Sequence, residues 1–336
     1  MLSFIAERAA EDAPALVRPG GEQMTYATLA MAVAAVRQAL EARVGDVTAR
    51  VVGVAVADAA GFVAAVLAVL DAGGVVLPLD AARGVAALQA EAARARALAV
   101  VIGDAAADSL EVVAGDASRR QLAPEACLLL PSGARLAVHS RQSLGMGVDA
   151  IVAQLGLDAR ARVPIVGAPA AALLPVMLPT LRAGATLLAL SGRAVVEQAA
   201  AMARLGATLL TGPAAPLADL AVAATSSTIS AARSAGVHLK RVVVVGALGP
   251  DDAAVLRRAF AGARLYRAED TPEALRVAAG EAEPLAPLDG VRVAGAGAAR
   301  EIHSATMMMG YLDDPEATAV AFVERDALGW VRSPAG

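Results

Sequence analysis

Short apolar runs alternate with longer segments of helical periodicity along most of this chain, and this alternation is the strongest constraint on its fold. The apolar runs lie at residues 50–56, 75–79, 98–102, 128–130, 136–138, 186–190 and 241–245. Helices are predicted between them at residues 59–70, 84–97, 141–155, 195–205 and 251–260. Because the strands are continuously apolar, the pattern predicts an α/β fold with parallel sheets covered by helices on both faces.

The chain changes character after about residue 279, where the apolar runs become short and glycine-rich. This change predicts a small, mainly antiparallel β unit at 279–336. It follows a first α/β lobe at 1–155 and a second α/β lobe at 156–278. Internal loops are predicted at 104–124 and 221–235, where the helical and strand patterns are weak.

Small apolar residues supply the core, since hydrophobic residues make up 57% of the chain and aromatic residues only 2%. A core of this kind needs many close-packed elements, because each side chain buries little area. The net charge is −4 and the basic residues are dispersed, so no nucleic-acid footprint is predicted.

The same sequence gives expectations about the cell compartment. The uncharged segment 163–181 contains four prolines and is predicted to be a buried strand, turn and helix rather than a membrane span. The start of the chain lacks the pattern of a signal peptide. The single cysteine, Cys127, excludes a disulfide within the chain. A cytoplasmic protein is therefore expected.

Several motifs that could carry chemistry have a simpler interpretation. The glycines of 145–150 match a dinucleotide fingerprint by spacing, but polar residues precede them where a strand is required. The three histidines have no metal-ligand spacing, so no metal site is predicted. Glu269 and Asp270 follow a short predicted strand at 264–266, and Asp270 could cap a helix beginning at Thr271.

The segment 128–144 reads as strand, short loop, strand and helix, an order found in many phosphate-binding sites. Its loop, however, contains no lysine or threonine and one glycine, Gly133. These residues alone are compatible with three interpretations of the loop: a phosphate loop, the remnant of one, or an ordinary turn.

Four stretches taken together resemble the adenylate-forming superfamily of acyl-CoA synthetases, adenylation domains and luciferases. They occur in that family's order at 24–40, 61–80, 241–250 and 301–322, the last followed by Gly-Trp-Val-Arg at 329–332. The resemblance implies a layered αβαβα arrangement of two mainly parallel sheets covered by helices. It covers the large N-terminal domain of the family, and the C-terminal domain with its catalytic lysine is expected to be absent.

The resemblance also implies which residues would line a vestigial nucleotide or acyl pocket. They are Ser132, Gly133 and Arg135 in the phosphate-loop position, Gly246 and Ala247 after the 241–245 strand, and Tyr266, Glu269 and Asp270 in the adenine- and Mg²⁺-binding motif. ATP and Mg²⁺ are expected as cofactors only if this site still functions. No residue is assigned a catalytic role.

The chain departs from the family pattern at each nucleotide contact. The phosphate-loop lysine is missing, Arg267 replaces a glycine, and Ser333, Pro334 and Ala335 follow Arg332 where the family has its ribose-binding Thr-Gly-Asp. Removal of one electrostatic stabiliser typically costs ~10²–10³ in rate, so joint losses leave little ATP chemistry. No acid occurs at 167–171, which implies a small apolar carboxylic acid rather than an α-amino acid as any ligand.

Three functions follow from the resemblance and its departures. The first is a scaffold or partner-binding pseudoenzyme, whose partner would be an active relative, a carrier protein or a stand-alone C-terminal domain. The second is an active or split acyl-CoA synthetase completed by a C-terminal domain in trans. The third is an ATP-independent binder of acyl groups or small molecules.

Overall fold

The computed structural model describes residues 3–9, 12–103, 111–115, 121–167, 170–225, 238–281, 285–295, 300–325 and 327–332. The α-helices in these ranges are α1 (Ser3–Ala9), α2 (Tyr26–Val44), α3 (Ala59–Asp71), α4 (Val85–Arg94), α5 (Arg141–Leu155), α6 (Leu174–Arg182), α7 (Val195–Arg204), α8 (Ala214–Thr225), α9 (Pro250–Ala259) and α10 (Pro315–Ala321). Short 3-10 helices occur at Ala81–Arg83 and Ala171–Leu173.

The strands of the same ranges are β1 (Pro14–Val17), β2 (Gln23–Thr25), β3 (Val51–Val56), β4 (Val75–Pro78), β5 (Ala99–Gly103), β6 (Glu111–Ala114), β7 (Ala126–Ser132), β8 (Arg135–Ser140), β9 (Arg162–Ile165), β10 (Thr186–Ala189), β11 (Leu209–Pro213), β12 (Arg241–Val245), β13 (Arg264–Thr271), β14 (Ala274–Gly280), β15 (Ala286–Pro287), β16 (Arg292–Ala294), β17 (Glu301–His303), β18 (Gly310–Tyr311), β19 (Phe322–Arg325) and β20 (Leu328–Arg332).

Parallel pairs of strands occur in three sheets within the described ranges. The largest has seven strands in the order β18-β8-β7-β4-β3-β5-β6, and the next has five in the order β11-β12-β13-β14-β15. A four-stranded sheet, β2-β1-β10-β9, joins the start of the chain to the middle. The C-terminal sheet β16-β17-β20-β19 is antiparallel throughout. The predicted α/β class with an antiparallel C-terminal β unit is confirmed.

The helices and strands predicted from periodicity lie within three residues of their observed bounds. A local capping residue sets the start of α3: the Asp58 side chain accepts the Gly61 N–H at 2.8 Å. All residues of 59–70 except Gly61 are buried, as expected for a helix between layers. The large core cluster is built mainly from alanine, valine and leucine, with Tyr26 and Phe62 as its bulkiest members.

The predicted strand-turn-helix at 163–181 is confirmed as β9, a 3-10 turn and α6. No helix among the described residues is long and apolar enough to cross a membrane. The 145–150 glycines lie inside α5, so they cannot form a dinucleotide-binding turn.

Two predictions about loops and one about a helix start were wrong. Residues 111–114 of the first predicted loop form β6, which pairs antiparallel with β5, and 221–225 of the second continue α8. Residues 115 and 121–124 of the first loop do lie outside helices and strands, whereas 104–110, 116–120 and 226–235 fall outside the described residues. Asp270 does not cap a helix, because β13 continues through it to Thr271 and turns back into β14. Local sequence favoured a cap, but pairing with β14 decided the conformation.

Candidate functional site

The loop between β7 and β8 is a two-residue hairpin turn. Ser132 pairs with Arg135 and Pro131 with Leu136, so only Gly133 and Ala134 lie between the strands. Gly133 has a φ of 56°, a left-handed conformation that glycine adopts at little cost. The shortened strand-to-strand turn expected at this position is confirmed.

This turn offers few groups for holding a phosphate. A phosphate loop works by directing several backbone N–H groups at one anion, and the strand ladder here takes up the residues on both sides of the turn. The turn between the paired residues Ser132 and Arg135 itself contributes the amides of Gly133 and Ala134.

Glu273 lies beneath the turn and binds Ser132. It occupies the turn between β13 and β14 and is fully buried. Its Oε1 accepts hydrogen bonds from the Ser132 hydroxyl and, at 3.0 Å, from the Tyr311 hydroxyl. Burial, together with the nearby Glu273 carboxylate, raises the pKa of Tyr311 to about 12. Ser132 therefore serves as an internal hydrogen-bond donor in this structure.

Arg135 is also held by an internal partner. Its Nε lies 2.8 Å from Oδ2 of Asp314, and its guanidinium carbon lies 5.5 Å from the centre of the Tyr311 ring. Asp314 caps α10 by accepting the Ala317 N–H at 2.8 Å. The hydrogen bond from Arg135 is the main cause that lowers the pKa of Asp314. The one cation of the turn is thus directed toward the start of α10.

Gly246 and Ala247 follow β12, as the resemblance implied. Gly246 has a φ of 93° and its N–H donates to the Ala268 carbonyl at 2.9 Å. Its own carbonyl accepts the Nε–H of Arg267 at 2.7 Å. Arg267, which stands where the family has glycine, therefore ties the end of β12 to β13.

Tyr266, Glu269 and Asp270 all belong to β13. Tyr266 is opposite Val243 of β12 and packs partly buried against the main core. Glu269 forms an ion pair with Arg300, and about a quarter of each side chain is exposed. The structure thus places all eight predicted residues at the hairpin turn, after β12 or on β13, with most of their polar groups in contacts inside the chain.

Asp270 borders an apolar recess with a volume of about 30 Å³. The recess lies between α5, α6 and strands β7 and β14. Its apolar wall includes Leu128, Leu130, Leu144, Val148, Ile151, Leu174, Pro175 and Leu275.

Four polar residues of this region were missed from the sequence: Glu273, Arg300, Tyr311 and Asp314. Glu273 stands in a Thr-Pro-Glu sequence that is typical of an exposed helix start, so nothing local indicated its burial. Asp314 stands before Pro315 and Glu316 in a sequence typical of a helix start, but its pairing with Arg135 spans 179 residues. Among the described residues, no group of three or more His, Cys, Asp and Glu side chains could hold a metal ion.

Cys127 and the chain's single lysine lie away from the candidate nucleotide site. Cys127 is buried on β7, and burial raises the pKa of its thiol to about 12, which leaves it protonated. Lys240 directly precedes β12, whereas Gly246 directly follows it. The two residues therefore lie at opposite ends of β12.

Comparison with known proteins gives one family match and many structural neighbours. A family model described as "AMP-binding enzyme" matches residues 5–142, about two fifths of the chain. A search of curated proteins gives no significant match.

The structural neighbours cover almost the whole chain at low sequence identity. The nonribosomal peptide synthetase FmoA3 superposes with a TM-score of 0.81 at 20% identity, covering 98% of this chain and 40% of FmoA3. The N-terminal domain of FACL13 from Mycobacterium tuberculosis gives 0.79 at 15% identity, covering 98% and 95%. The amide bond synthetase McbA from Marinactinospora thermotolerans gives 0.77 at 22% identity, covering 98% and 75%. These likenesses establish a shared fold.

Proposed function

We propose that this chain is a member of the adenylate-forming superfamily, and that it is an AMP-binding-like domain that has lost ATP-dependent carboxylate activation. Its function is to bind a protein partner as a scaffold or pseudoenzyme. The partner is an active relative, a carrier protein or a stand-alone C-terminal domain. The framework of the family fold is kept, while the groups that would contact a nucleotide have changed.

The two-residue turn at Gly133 and Ala134 carries the proposal. ATP-dependent activation requires the triphosphate to be held while its α-phosphorus is attacked, and charge on the phosphate oxygens must be neutralised. Two amides at a tight turn replace the several donors of a phosphate loop. Phosphate binding at this turn is therefore expected to be weak.

The remaining polar groups support the same conclusion. Arg135 is paired with Asp314, Glu269 with Arg300, and Ser132 with Glu273. To bind a nucleotide, each group would have to break an existing contact, which lowers the net gain from binding. The only lysine, Lys240, lies before the amino-terminal end of β12, whereas Gly246 follows its carboxyl end. Lys240 therefore cannot replace the missing phosphate-loop lysine.

A pyrophosphate-exchange assay over a panel of small apolar carboxylic acids tests the proposal, together with calorimetric titration of Mg·ATP. We expect no exchange above background and no saturable heat. An active adenylation domain from the same family serves as the positive control. Robust exchange with any acid would overturn the proposal.

Two variants decide whether any ATP signal comes from the vestigial site. Arg135→Gln removes the only cation of the turn, and Arg37→Gln removes a half-exposed arginine on α2. If ATP binds and only Arg135→Gln abolishes the heat, the site still functions. Exchange that appears only after a stand-alone C-terminal domain is added would instead favour a split synthetase.

The apolar recess beside Asp270 favours one second candidate, an ATP-independent binder of a small acyl group or carboxylic acid. A ligand that binds only the folded state raises the unfolding midpoint by mass action. Thermal unfolding with short-chain carboxylic acids and acyl-CoAs tests it. A flat response at millimolar ligand would argue against this candidate.

A further inference from the structure

A second cavity lies at the amino-terminal ends of strands β9, β11 and β12, whereas the candidate residue Gly246 follows the carboxyl end of β12. It has a volume of about 250 Å³ and is lined where Ala161, Thr208 and Lys240 precede strands β9, β11 and β12. The end of α5 and the segment after it form the opposite wall, from Leu155 to Ala161. This volume lies just below that of typical small-molecule sites, about 300–1,000 Å³, and suits a small ligand.

The charged residues of this cavity are mostly basic. Arg160, Lys240 and Arg241 face one acid, Asp158, which gives the lining a formal charge of +2. The whole chain has a net charge of −4, so this local excess of positive charge is opposite in sign to the rest of the molecule. A concave surface with one sign of charge concentrates ions of the opposite sign.

Arg241 is held in place by the end of α5. Its Nη1 donates to the carbonyl of Leu155, the last residue of that helix. The helix then ends at Gly156 with a φ of 53°, and a Cβ at Gly156 would lie 3.2 Å from the same Nη1. A guanidinium carries five N–H donors, so the contact with Leu155 fixes its position and leaves donors for a ligand.

Arg160 and Lys240 supply charges that the chain does not neutralise. Both are exposed, and neither forms an ion pair with a residue that the structure describes. Asp158, the single acid, already accepts the backbone N–H of Arg160 at 2.9 Å through its Oδ1. The cavity therefore presents one fixed and two adaptable cations around a mixed polar and apolar space.

We propose that this cavity binds a small phosphate-bearing organic molecule. The three cations match the charge and hydrogen-bonding capacity of a phosphate group, for which arginine supplies paired donors and lysine a point charge. The side chains of Leu155, Leu157 and Leu209 would contact the organic part. The site does not depend on the proposed loss of ATP chemistry, because Lys240 and Gly246 lie at opposite ends of β12.

Chemical labelling of Lys240 tests the site directly, because Lys240 is the only lysine in the sequence. An amine-reactive reagent is applied with and without ribose 5-phosphate, and labelling of the peptide that contains Lys240 is quantified by mass spectrometry. We expect protection that saturates with ribose 5-phosphate but not with ribose at the same concentration. Labelling that is equal with and without ribose 5-phosphate would overturn the proposal.

Thermal unfolding at constant ionic strength gives a second readout. Ribose 5-phosphate and inorganic phosphate should each raise the unfolding midpoint, whereas added chloride should not. The Arg160→Gln, Lys240→Gln double variant should weaken the apparent affinity by about tenfold or more, since charge-assisted hydrogen bonds are lost. Arg135→Gln is the matched control and should retain the response.

The outcomes separate this proposal from the proposed function. A midpoint shift that disappears in Arg135→Gln but persists in the double variant would assign the phosphate to the vestigial nucleotide site and overturn the inference. A shift that survives both variants, or that chloride reproduces, would indicate binding elsewhere or general screening and would equally overturn it. Failure of ATP exchange has no bearing on either readout.

Discussion

The hydroxyl of Tyr311 donates a 3.0 Å hydrogen bond to Oε1 of Glu273, and the carboxylate that receives it is fully buried. The same oxygen accepts the hydroxyl of Ser132 from the β7–β8 turn. Glu273 thus joins three segments: the β7–β8 turn, the β13–β14 turn, and β18.

Glu273→Ala should destabilise the protein by about 2–4 kcal/mol, because two partly or fully buried hydroxyls lose a charged acceptor. Glu273→Gln keeps an acceptor oxygen and should cost less. Urea or thermal unfolding measures both, with the exposed Glu324→Ala on β19 as a control expected within about 0.5 kcal/mol of wild type. Equal effects for Glu273→Ala and Glu324→Ala would contradict the assigned role.

Gly133→Ala should destabilise the hairpin by about 1–2 kcal/mol, since residues with a Cβ pay this cost at a positive φ. Space is not the cause, because a Cβ there would meet no atom within 4 Å. Gly145→Ala in the middle of α5 is the matched control: it has equal space, and alanine should stabilise the helix by up to about 1 kcal/mol. If both substitutions shift the unfolding midpoint in the same direction, the turn differs from the one described.

Stability should fall as the pH drops from about 6.5 toward 4, in part through His139. Burial lowers the pKa of His139 to about 4, and its Nε2–H donates to the Pro272 carbonyl at 2.6 Å. In that window the unfolded chain takes up a proton that the folded state excludes, so acidification favours unfolding by about 1 kcal/mol per pH unit.

The pH prediction is measured as the difference between wild type and His139→Gln, which keeps an N–H donor but does not titrate. Subtraction removes other groups, such as Asp314, whose lowered pKa acts below the histidine window. Parallel stability profiles for the two proteins between pH 4 and pH 6.5 would show that His139 makes no such contribution.

Tyr26→Phe should lower stability by about 1–2 kcal/mol. Tyr26 is fully buried at the start of α2, and its hydroxyl donates to the carbonyls of Leu181 at 3.2 Å and Ala185 at 2.8 Å. These hydrogen bonds connect the start of α2 to the end of α6, about 155 residues away. Met31→Ala, at an exposed position on the same helix, should have little effect and serves as the comparison in denaturant melts.

The sequence predicted the elements best where their signals are local. Helix α5 begins after Ser140, which forms a capping box with Ser143, and its bounds match the prediction. At the β7–β8 turn the residues left a phosphate loop, its remnant and an ordinary turn open, and the pairing of Ser132 with Arg135 shows a short turn. Asp270 shows the opposite case, since an acid before Thr-Pro-Glu favours a helix cap until pairing with β14 extends the strand.

By itself, the sequence determined the order of strands and helices and the resemblance to a family. These depend on periodicity, turn chemistry and short motifs, which act over a few residues. Only the tertiary structure decided that Glu273 is buried beneath Ser132 and Tyr311, and that Arg160 and Lys240 line one cavity. Ser132 and Glu273, for example, are 141 residues apart, and packing alone brings them together.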